Sequence, residues 1–552
     1  MKNIGDKLSV LIFSSIILIP LFLALDRLVW VAGFDPVRWF SSIEANHLSQ
    51  GSVGFTFLQA ILSTIATIAI GLPIAWQLGR YKWRGTGLMR AVLTMPFVIP
   101  SIIAAMGFLA FVGPHGMGLR ADQDTHLWTL IIAHAWFNMA LVIRFTEPVL
   151  STLDRDLEDQ LRLLPGGKTF WAKLKNLWIP LLTPSIAAAA CMTFIFSFTS
   201  FALVRWITPL ESTLETVLAD VGERAGILGY EEYTNDLVLA SSLIQFTVML
   251  ASLWLMSWLQ EKRQSLLPQA SENSNLKPNP RGLLILVPGI FFALAPLVTV
   301  AWSSFRIPVR EQGELTYHWG VEGWIEAWSG GYSNTGVGEA LLNTLGYAGI
   351  TLIVALPLGW SLAKTIHELE LSKSKWARIL DVFTMLPFAF SAVMIGLGVL
   401  LGILKLDGEL NSLWLLPVLP HIMLTTPFVV RIMLPAFRGL DPSYDEGARI
   451  LGLSHRARFW KIKLPLLRGP LLVAITFTLA MSLGEFGASW VVARSGEWDT
   501  LPVLIDSLRS RTGWDPLIQP TAAAAATTLM LITLLLFLTV ERFRPKGEGG
   551  MF

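Results

Sequence analysis

Residues 134–154 read HAWFNMALVIRFTEPVLSTLD, and residues 421–441 read HIMLTTPFVVRIMLPAFRGLD. Three polar residues recur in the same order and at the same spacing, namely His134, Arg144 and Asp154 in the first stretch and His421, Arg431 and Asp441 in the second. Apolar letters can match by chance between two helical segments, but three ordered polar matches are much harder to dismiss. The sequence therefore predicts an internal repeat of two halves.

The composition indicates a membrane protein. The chain has 552 residues, of which 53% are hydrophobic and 15% charged, and its mean hydropathy is +0.57. Soluble domains carry about 25% charged residues, so this chain has far too little ionic surface for one. The lone Cys191 excludes an internal disulfide framework and a cysteine-rich metal site. A net charge of +2 without a dense basic stripe argues against nucleic acid as a partner.

Twelve segments are long and apolar enough to cross a bilayer, for which a helix needs about 20 residues. They are residues 8–25, 55–78, 90–112, 127–143, 181–203 and 237–259 in the first half, and 282–302, 340–363, 379–404, 413–432, 469–492 and 520–540 in the second. The predicted fold class is an all-α polytopic membrane protein. Most of the 42 Lys and Arg residues lie on the side that holds both termini. The positive-inside rule therefore predicts a multi-pass protein of the plasma (inner) membrane with cytoplasmic termini.

The polar stretch at 260–281, rich in Ser, Asn and Pro, reads as a cytoplasmic linker. It separates a first half at 1–259 from a second half at 282–552. Each half has an even number of spans, so both enter the membrane in the same orientation and form a parallel repeat of two six-helix halves. A pathway is expected between them, as in a transporter or a channel.

The inner loop at 441–467 reads DPSYDEGARILGLSHRARFWKIKLPLL. Ser443 and Glu446 form a capping box just after Pro442, which predicts the start of a helix. Gly452 predicts a left-handed stop, and Pro465 predicts the end of a second helix. Composition alone leaves two interpretations open, either an amphipathic segment in the lipid headgroups or an elbow that binds a partner.

The spacing of residues in this loop favours the second interpretation, an elbow that binds a partner. The loop fits the pattern E-A/G-A-x3-G-x9-I-x-L-P through Glu446, Gly447, Ala448, Gly452, Ile462, Leu464 and Pro465. This pattern resembles the cytoplasmic signature of ATP-binding-cassette importer permeases, the loop that docks into the ATPase subunit in that family. The resemblance implies two copies of a cassette subunit, which bind ATP and Mg, and an extracytoplasmic substrate-binding protein. Asp441 and Glu446 are the expected docking acids, with Gly452 as the bend.

The corresponding loop of the first half, at 154–182, is degenerate. It keeps Gly167 and then Ile179 and Pro180, but Leu161 stands where the glutamate is expected. The acidic residues Glu158 and Asp159 lie two or three positions earlier, so either could serve. Residues 166–169, GGKT, lack the leading glycine of a phosphate-binding loop, so this chain is expected to bind no ATP and no other cofactor itself.

Within the spans, Glu485 is the main ionisable residue, in the stretch SLGEFGASWVV. An acid inside a membrane is costly and often functional, and Gly484 and Gly487 beside it predict a broken or tightly packed helix. The alternative is a residue near the outer end of the span that reaches water. Pro96 and Pro387 are expected to kink their spans. We assign these five residues to the translocation path. The stretch resembles a segment of thiamine, sulfate and molybdate permeases.

The favoured function is a fused, two-half permease subunit of an ATP-driven importer, not an enzyme. Resemblance along the chain to the fused thiamine and ferric-iron permeases gives those two cargoes as expectations. The alternatives are a twelve-span, ion-coupled secondary transporter and an intramembrane enzyme. Neither His134 nor His421 has a neighbour at ligand spacing, so no metal site is expected.

Overall fold

A computed structural model describes most of the chain. The described residues are 4–47, 49–113, 123–153, 155–163, 169–222, 225, 232–266, 277–311, 314–332, 335–406, 413–440, 442–492, 498–511 and 515–543.

The structure is predominantly helical. The elements up to the linker are α1 (Ile4–Ala32), α2 (Pro36–Ala45), α3 (Ser52–Arg80), α4 (Thr86–Thr94), α5 (Ser101–Val112), α6 (Gln123–Thr152), α7 (Arg155–Leu163), α8 (Phe170–Lys173), α9 (Ile179–Phe198), α10 (Ala202–Ile207), α11 (Leu214–Gly222) and α12 (Glu232–Leu266). Those after it are α13 (Leu283–Ser303), β1 (Arg306–Glu311), β2 (Glu314–Trp319), α14 (Glu322–Ser329), α15 (Val337–Leu371), α16 (Trp376–Thr384), α17 (Ala392–Leu406), α18 (Val418–Arg438), α19 (Pro442–Ile450), α20 (His455–Arg458), α21 (Leu464–Leu466), α22 (Arg468–Leu483), α23 (Gly487–Val492), α24 (Leu501–Arg509) and α25 (Ile518–Phe543).

The all-α membrane fold is confirmed, although not with twelve unbroken spans. In the described part of the chain, nine helices are long and apolar enough to cross a membrane, and two bent pairs raise the number to eleven. The predicted span at 379–404 is divided between α16 and the short apolar helix α17.

Proline accounts for two of these breaks. Pro96 lies in a 3₁₀ turn, and the helices on either side of the break, Thr86–Phe97 and Ser101–Val112, meet at 94°. Pro387 occupies the equivalent 3₁₀ turn between α16 and α17, after which Phe390 is extended. Both predicted kinks are confirmed. Their physical cause is that proline lacks a backbone donor and cannot continue an α-helix without strain.

The internal repeat is visible in how helices pack. α3 lies against α6, and α15 lies against α18. A Cβ added at Gly71 would lie 2.8 Å from the Cβ of Val142, and one added at Gly359 would lie 2.5 Å from the Cβ of Val429. Small residues let membrane helices approach closely. Because Val142 and Val429 occupy matching places in the two repeated stretches, the same close contact occurs in both halves.

Two compact units can be described, and each contains the first helix of the other half of the sequence. The amino-terminal unit consists mainly of residues 40–217 and 240–323, so that α13 packs against α5 within it. The carboxyl-terminal unit consists mainly of residues 1–39, 218–239 and 324–547, so that α1 packs against α17 within it. The two compact units therefore do not coincide with the two predicted halves, because α1 and α13 each pack with helices of the other half. The linker at 260–281 as the boundary between the halves stays a prediction.

One β-hairpin was not predicted. β1 and β2 pair antiparallel, with Arg306 opposite Trp319 and Arg310 opposite Leu315. A signal was available in ELTYHW, where Leu, Tyr and Trp alternate with Thr and His, the period expected of a strand.

Candidate functional site

The predicted inner loop of the second half folds as a helix, a left-handed turn and a second helical run. α19 ends at Ile450, and Gly452 follows with a φ of +72°. The backbone N–H of Leu453 donates to the carbonyl oxygen of Ala448 at 3.0 Å, which closes the helix in the way typical of a glycine stop. The predicted left-handed stop at Gly452 is confirmed.

The second helical run begins at the predicted cap. The Ser454 hydroxyl accepts a hydrogen bond from the backbone N–H of Ala457 at 3.3 Å. α20 continues through a π-helical turn, Phe459–Lys463, into α21, and the axis then bends by 73° at Leu467 to enter α22. The end of this run falls one residue beyond Pro465, close to the predicted place. A π-turn distorts a helix at its site, and nothing in the composition indicated one.

The acidic end of the loop is only partly described. α19 begins at Pro442, one residue before the predicted Ser443 cap, and Asp441 lies outside the described residues. Ala448 is buried, and Glu446 on the same helix is exposed. One face of α19 is therefore anchored to the protein while the Glu446 carboxylate meets the solvent.

Large apolar side chains surround the bend. Ile450 is 87% exposed, Leu451 80% and Trp460 66%, whereas Ile462 and Leu464 are half-buried. Exposed apolar side chains clustered on a polar, basic loop typically mark a surface that another protein covers. The arrangement can bind a partner through apolar contacts flanked by charge.

The first-half loop repeats this design within the described residues. The Thr169 hydroxyl accepts a hydrogen bond from the backbone N–H of Ala172 at 3.2 Å, as Ser454 does from Ala457. A π-helical turn, Leu174–Trp178, follows here too. The helix then runs on through Ile179 and Pro180, both of which lie in the first turn of α9. Gly167 lies outside the described residues.

The two candidate acids of this loop differ in environment. Glu158 forms ion pairs with the buried Arg80 and with Lys173, whose Nζ lies 3.5 Å from Oε2. Asp159 is exposed and pairs with Arg162 at 2.9 Å. Glu158 therefore ties α7 to the protein, and Asp159 is the acid available at the surface. The sequence pattern could not separate them, because Arg80 is distant along the chain.

This difference predicts unequal stability effects. Glu158→Ala would leave the buried Arg80 guanidinium without its carboxylate and should lower the free energy of unfolding by about 1–3 kcal/mol. Asp159→Ala removes an exposed pair and should change that energy by less than about 1 kcal/mol. Thermal unfolding of the purified full chain in detergent measures both variants. Equal effects of the two substitutions would contradict the assignment.

Alanine substitutions at the two glycines of the loop at 441–467 should have opposite effects on hydrogen exchange in α19. A Cβ at Gly452 meets nothing within 4 Å, so Gly452→Ala costs only the positive φ, about 1 kcal/mol, which corresponds to about fivefold faster local exchange. Gly447 lies inside α19, also with nothing within 4 Å, so Gly447→Ala should slow exchange there through better helix propensity. Hydrogen–deuterium exchange of residues 443–453 measures both. Unchanged exchange in Gly452→Ala would show that the positive φ at Gly452 does not limit the stability of this turn.

Glu485 lies at a break in a span, as predicted from the neighbouring glycines. α22 ends at Leu483, and α23 begins at Gly487. The Glu485 carboxylate accepts hydrogen bonds from the backbone N–H groups of Ala488 at 2.7 Å and Ser489 at 2.8 Å. It thereby satisfies the free donors at the start of α23, which would otherwise be costly in a membrane.

His421 completes this cluster. Its Nε2 lies 3.3 Å from the second carboxylate oxygen of Glu485 and 2.9 Å from the Ser489 hydroxyl, and its Nδ1 lies 2.6 Å from the Ser482 hydroxyl. All four side chains are buried. The carboxylate is thus fully engaged within the protein, which favours a role in holding the break open over direct contact with cargo.

The first half has the same break without the acid. α9 ends at Phe198, and the backbone N–H of Ser200 donates to the carbonyl oxygen of Ser197, as that of Glu485 donates to Ser482. Ser200 therefore stands where the second half has Glu485. The counterpart of His421, His134, bonds Ser63 at 3.0 Å.

Gly484 and Gly487 flank the break. Gly484 ends α22 in an ordinary right-handed conformation. A Cβ added at Gly487 would lie 3.2 Å from the Cβ of Ala392, so this glycine allows α23 to approach α17 closely. In the described part of the chain, no group of three or more His, Cys, Asp or Glu residues could hold a metal ion.

Fold and loops together define a polytopic helical membrane protein in which two loops, one in each half, share a capped helix that runs through a π-helical turn. The family model described as the binding-protein-dependent transport system inner membrane component matches residues 68–264 and 355–546. The chain belongs to this family. It is therefore a transport permease, and membership weighs against the secondary transporter and the enzyme.

Two relatives match over nearly the whole chain, and a third matches part of it. The thiamine transport system permease protein ThiP of Haemophilus influenzae is 25% identical over 535 residues, covering 92% of this chain and 91% of that protein. ThiP of Escherichia coli is 22% identical over 524 residues, covering 90% and 89%. The sulfate transport system permease protein CysW of Synechocystis is 28% identical over 229 residues, covering 39% of this chain and 76% of its own length.

Proposed function

We propose that this chain forms both halves of the translocation path of an ATP-driven thiamine importer. One observation carries the choice of cargo. The thiamine permeases match across both halves and about nine-tenths of the chain, whereas the sulfate permease matches 39% of it. A shared two-half organisation in a single chain supports a shared transport system more strongly than similarity to one half does.

Two cassette subunits, each binding ATP and Mg, dock on the two loops in this proposal. The exposed Glu446, Ile450 and Leu451 around the bend at Gly452 provide one docking surface. Asp159 on α7 and the exposed Trp171 beside the Thr169 cap provide the other. Cassette closure would then change the separation of the two loops, and the different affinities of the cassettes for the two conformations would drive alternating access.

A reconstituted transport assay tests this function. The full chain in proteoliposomes, with its cassette subunit inside and its binding protein outside, should accumulate radiolabelled thiamine only when ATP is present. Unlabelled thiamine should compete, whereas ferric iron and sulfate should not. Competition by ferric iron alone would reassign the cargo. Uptake that persists without the cassette and collapses with the proton gradient would overturn the importer itself.

A further inference from the structure

The helix α13 carries an exposed apolar stripe along one side. Its members recur every three or four residues with one wider step, so they share a helix face: Leu284, Val287, Phe291, Val298 and Trp302. Only a third of its most apolar window is buried within the protein. In a membrane-spanning helix such a face meets lipid, and a tryptophan at its end is typical of the bilayer interface.

The β-hairpin begins directly after this helix. Only Ser304 and Phe305 separate α13 from β1, and the backbone N–H of Gly320, just past β2, donates to the carbonyl oxygen of Phe305 at 3.0 Å. The rings of Trp302 and Trp319 pack edge to face with centroids 4.7 Å apart. Both ends of the hairpin are therefore fixed at the end of a membrane-spanning helix.

The two faces of the hairpin differ in chemistry. One face, which we term the arginine–aromatic face, carries Arg306, Pro308, Arg310, Leu315, Tyr317 and Trp319, placed together by the strand register. The Arg306 guanidinium lies over the Tyr317 ring at 3.4 Å from its centroid. The opposite face holds the buried Ile307 and a hydrogen-bond contact of 3.1 Å between His318 Nε2 and the Glu311 carboxylate.

We propose that the arginine–aromatic face lies in the phospholipid headgroup layer and anchors the end of α13 there. Leu315 and Trp319 are both exposed on this face, 41% and 59%, and Trp319 packs on Trp302, where the lipid-facing stripe of α13 ends. Tryptophan and tyrosine favour this boundary because they present an apolar body and a polar tip. Arginine adds attraction for lipid phosphates, to which its fork of donors is suited.

A docking surface for a binding protein is the competing interpretation, and continuity decides against it. Trp302 lies on the same helix face as Phe291 and Val298, and Trp319 packs on Trp302. The face therefore continues the exposed apolar stripe of α13. A protein covering it would also have to cover the upper end of that lipid-facing stripe.

Site-specific labelling of the full chain tests the proposal. In a Cys191→Ala background, Leu315→Cys places an environment-sensitive fluorophore on the arginine–aromatic face, and His318→Cys places it on the opposite face of the same strand. Both proteins are reconstituted in vesicles of phosphatidylethanolamine and phosphatidylglycerol. Nitroxide-labelled lipid should quench the Leu315 probe several times more strongly than the His318 probe, and aqueous iodide should do the reverse. Size-exclusion chromatography of each labelled protein checks that it is folded.

Lipid charge provides a second readout. Arg310→Gln, added to the Leu315→Cys protein, should weaken quenching by the labelled lipid, most clearly in vesicles that contain phosphatidylglycerol. Equal iodide quenching of the two probes, with no effect of labelled lipid on either, would overturn the proposal. Shielding of the Leu315 probe that appears only when the binding protein is added would also overturn it and would assign the face to protein docking.

Discussion

Replacing Glu446 with lysine is expected to abolish ATP-dependent uptake while the permease still folds. Glu446 is exposed on α19, whose attachment to the protein is made by other residues such as the buried Ala448. Reversal of the charge should therefore change the docking surface without disturbing the helix. Truncating one member of an interface charge pair costs about 2–5 kcal/mol, and a reversed charge adds repulsion. A loss of about 2 kcal/mol or more corresponds to cassette association weakened by at least about thirtyfold.

The control reverses an exposed acid on the same predicted side of the membrane. Glu368, near the end of α15, is partly exposed and pairs with Lys364 at 3.3 Å, outside both loops. Glu368→Lys should leave cassette pull-down and uptake near the original levels. If Glu446→Lys retains full pull-down and uptake, the docking assignment at Glu446 is wrong. If both variants lose association, net charge on this side, not the loop, controls binding.

Local rules were sufficient to predict the turn and the second helix start in the loop at 441–467, although not its π-turn. A glycine that ends a helix and a serine or threonine that begins one depend on chemistry within a few residues. For this reason Gly452 and Ser454 are found where the sequence predicted them. The prolines at 96 and 387 interrupt their helices for an equally local reason.

Features that depend on distant residues could not be predicted in the same way. The Arg80–Glu158 pair joins α3 to α7, and only their spatial proximity shows that Glu158 is held inward while Asp159 remains at the surface. The packing of α1 on α17 and of α13 on α5 likewise depends on which apolar faces meet, and apolar spans carry little information about that choice. Membrane helices select neighbours through shape and small residues more than through hydrophobicity.

Glu485 shows how the structure changes an interpretation that the sequence left open. An acid within a span suggested contact with cargo. The carboxylate instead accepts two backbone hydrogen bonds at the start of α23 and contacts His421 and Ser489. Ser200 in the other half occupies an equivalent break without a carboxylate. The acid is therefore better explained as a positioning residue that satisfies the broken helix.

Glu485→Leu is expected to destabilise the permease by about 3–5 kcal/mol, because it leaves two backbone donors and a buried histidine without their acceptor. Glu485→Gln keeps a carbonyl acceptor in place and should cost about 1–2 kcal/mol, with uptake per folded molecule close to that of the unaltered protein. Ser200→Ala at the equivalent break is the control and should cost less than about 1 kcal/mol. Thermal unfolding in detergent, together with thiamine uptake in proteoliposomes, separates two explanations. A positioning role requires that the Gln variant is less stable than the original protein and that the Leu variant is less stable still. It also requires that the folded Gln variant still takes up thiamine. If the Gln variant is as stable as the original protein yet transports nothing, the charge of Glu485 acts directly on the cargo, and the positioning role is wrong.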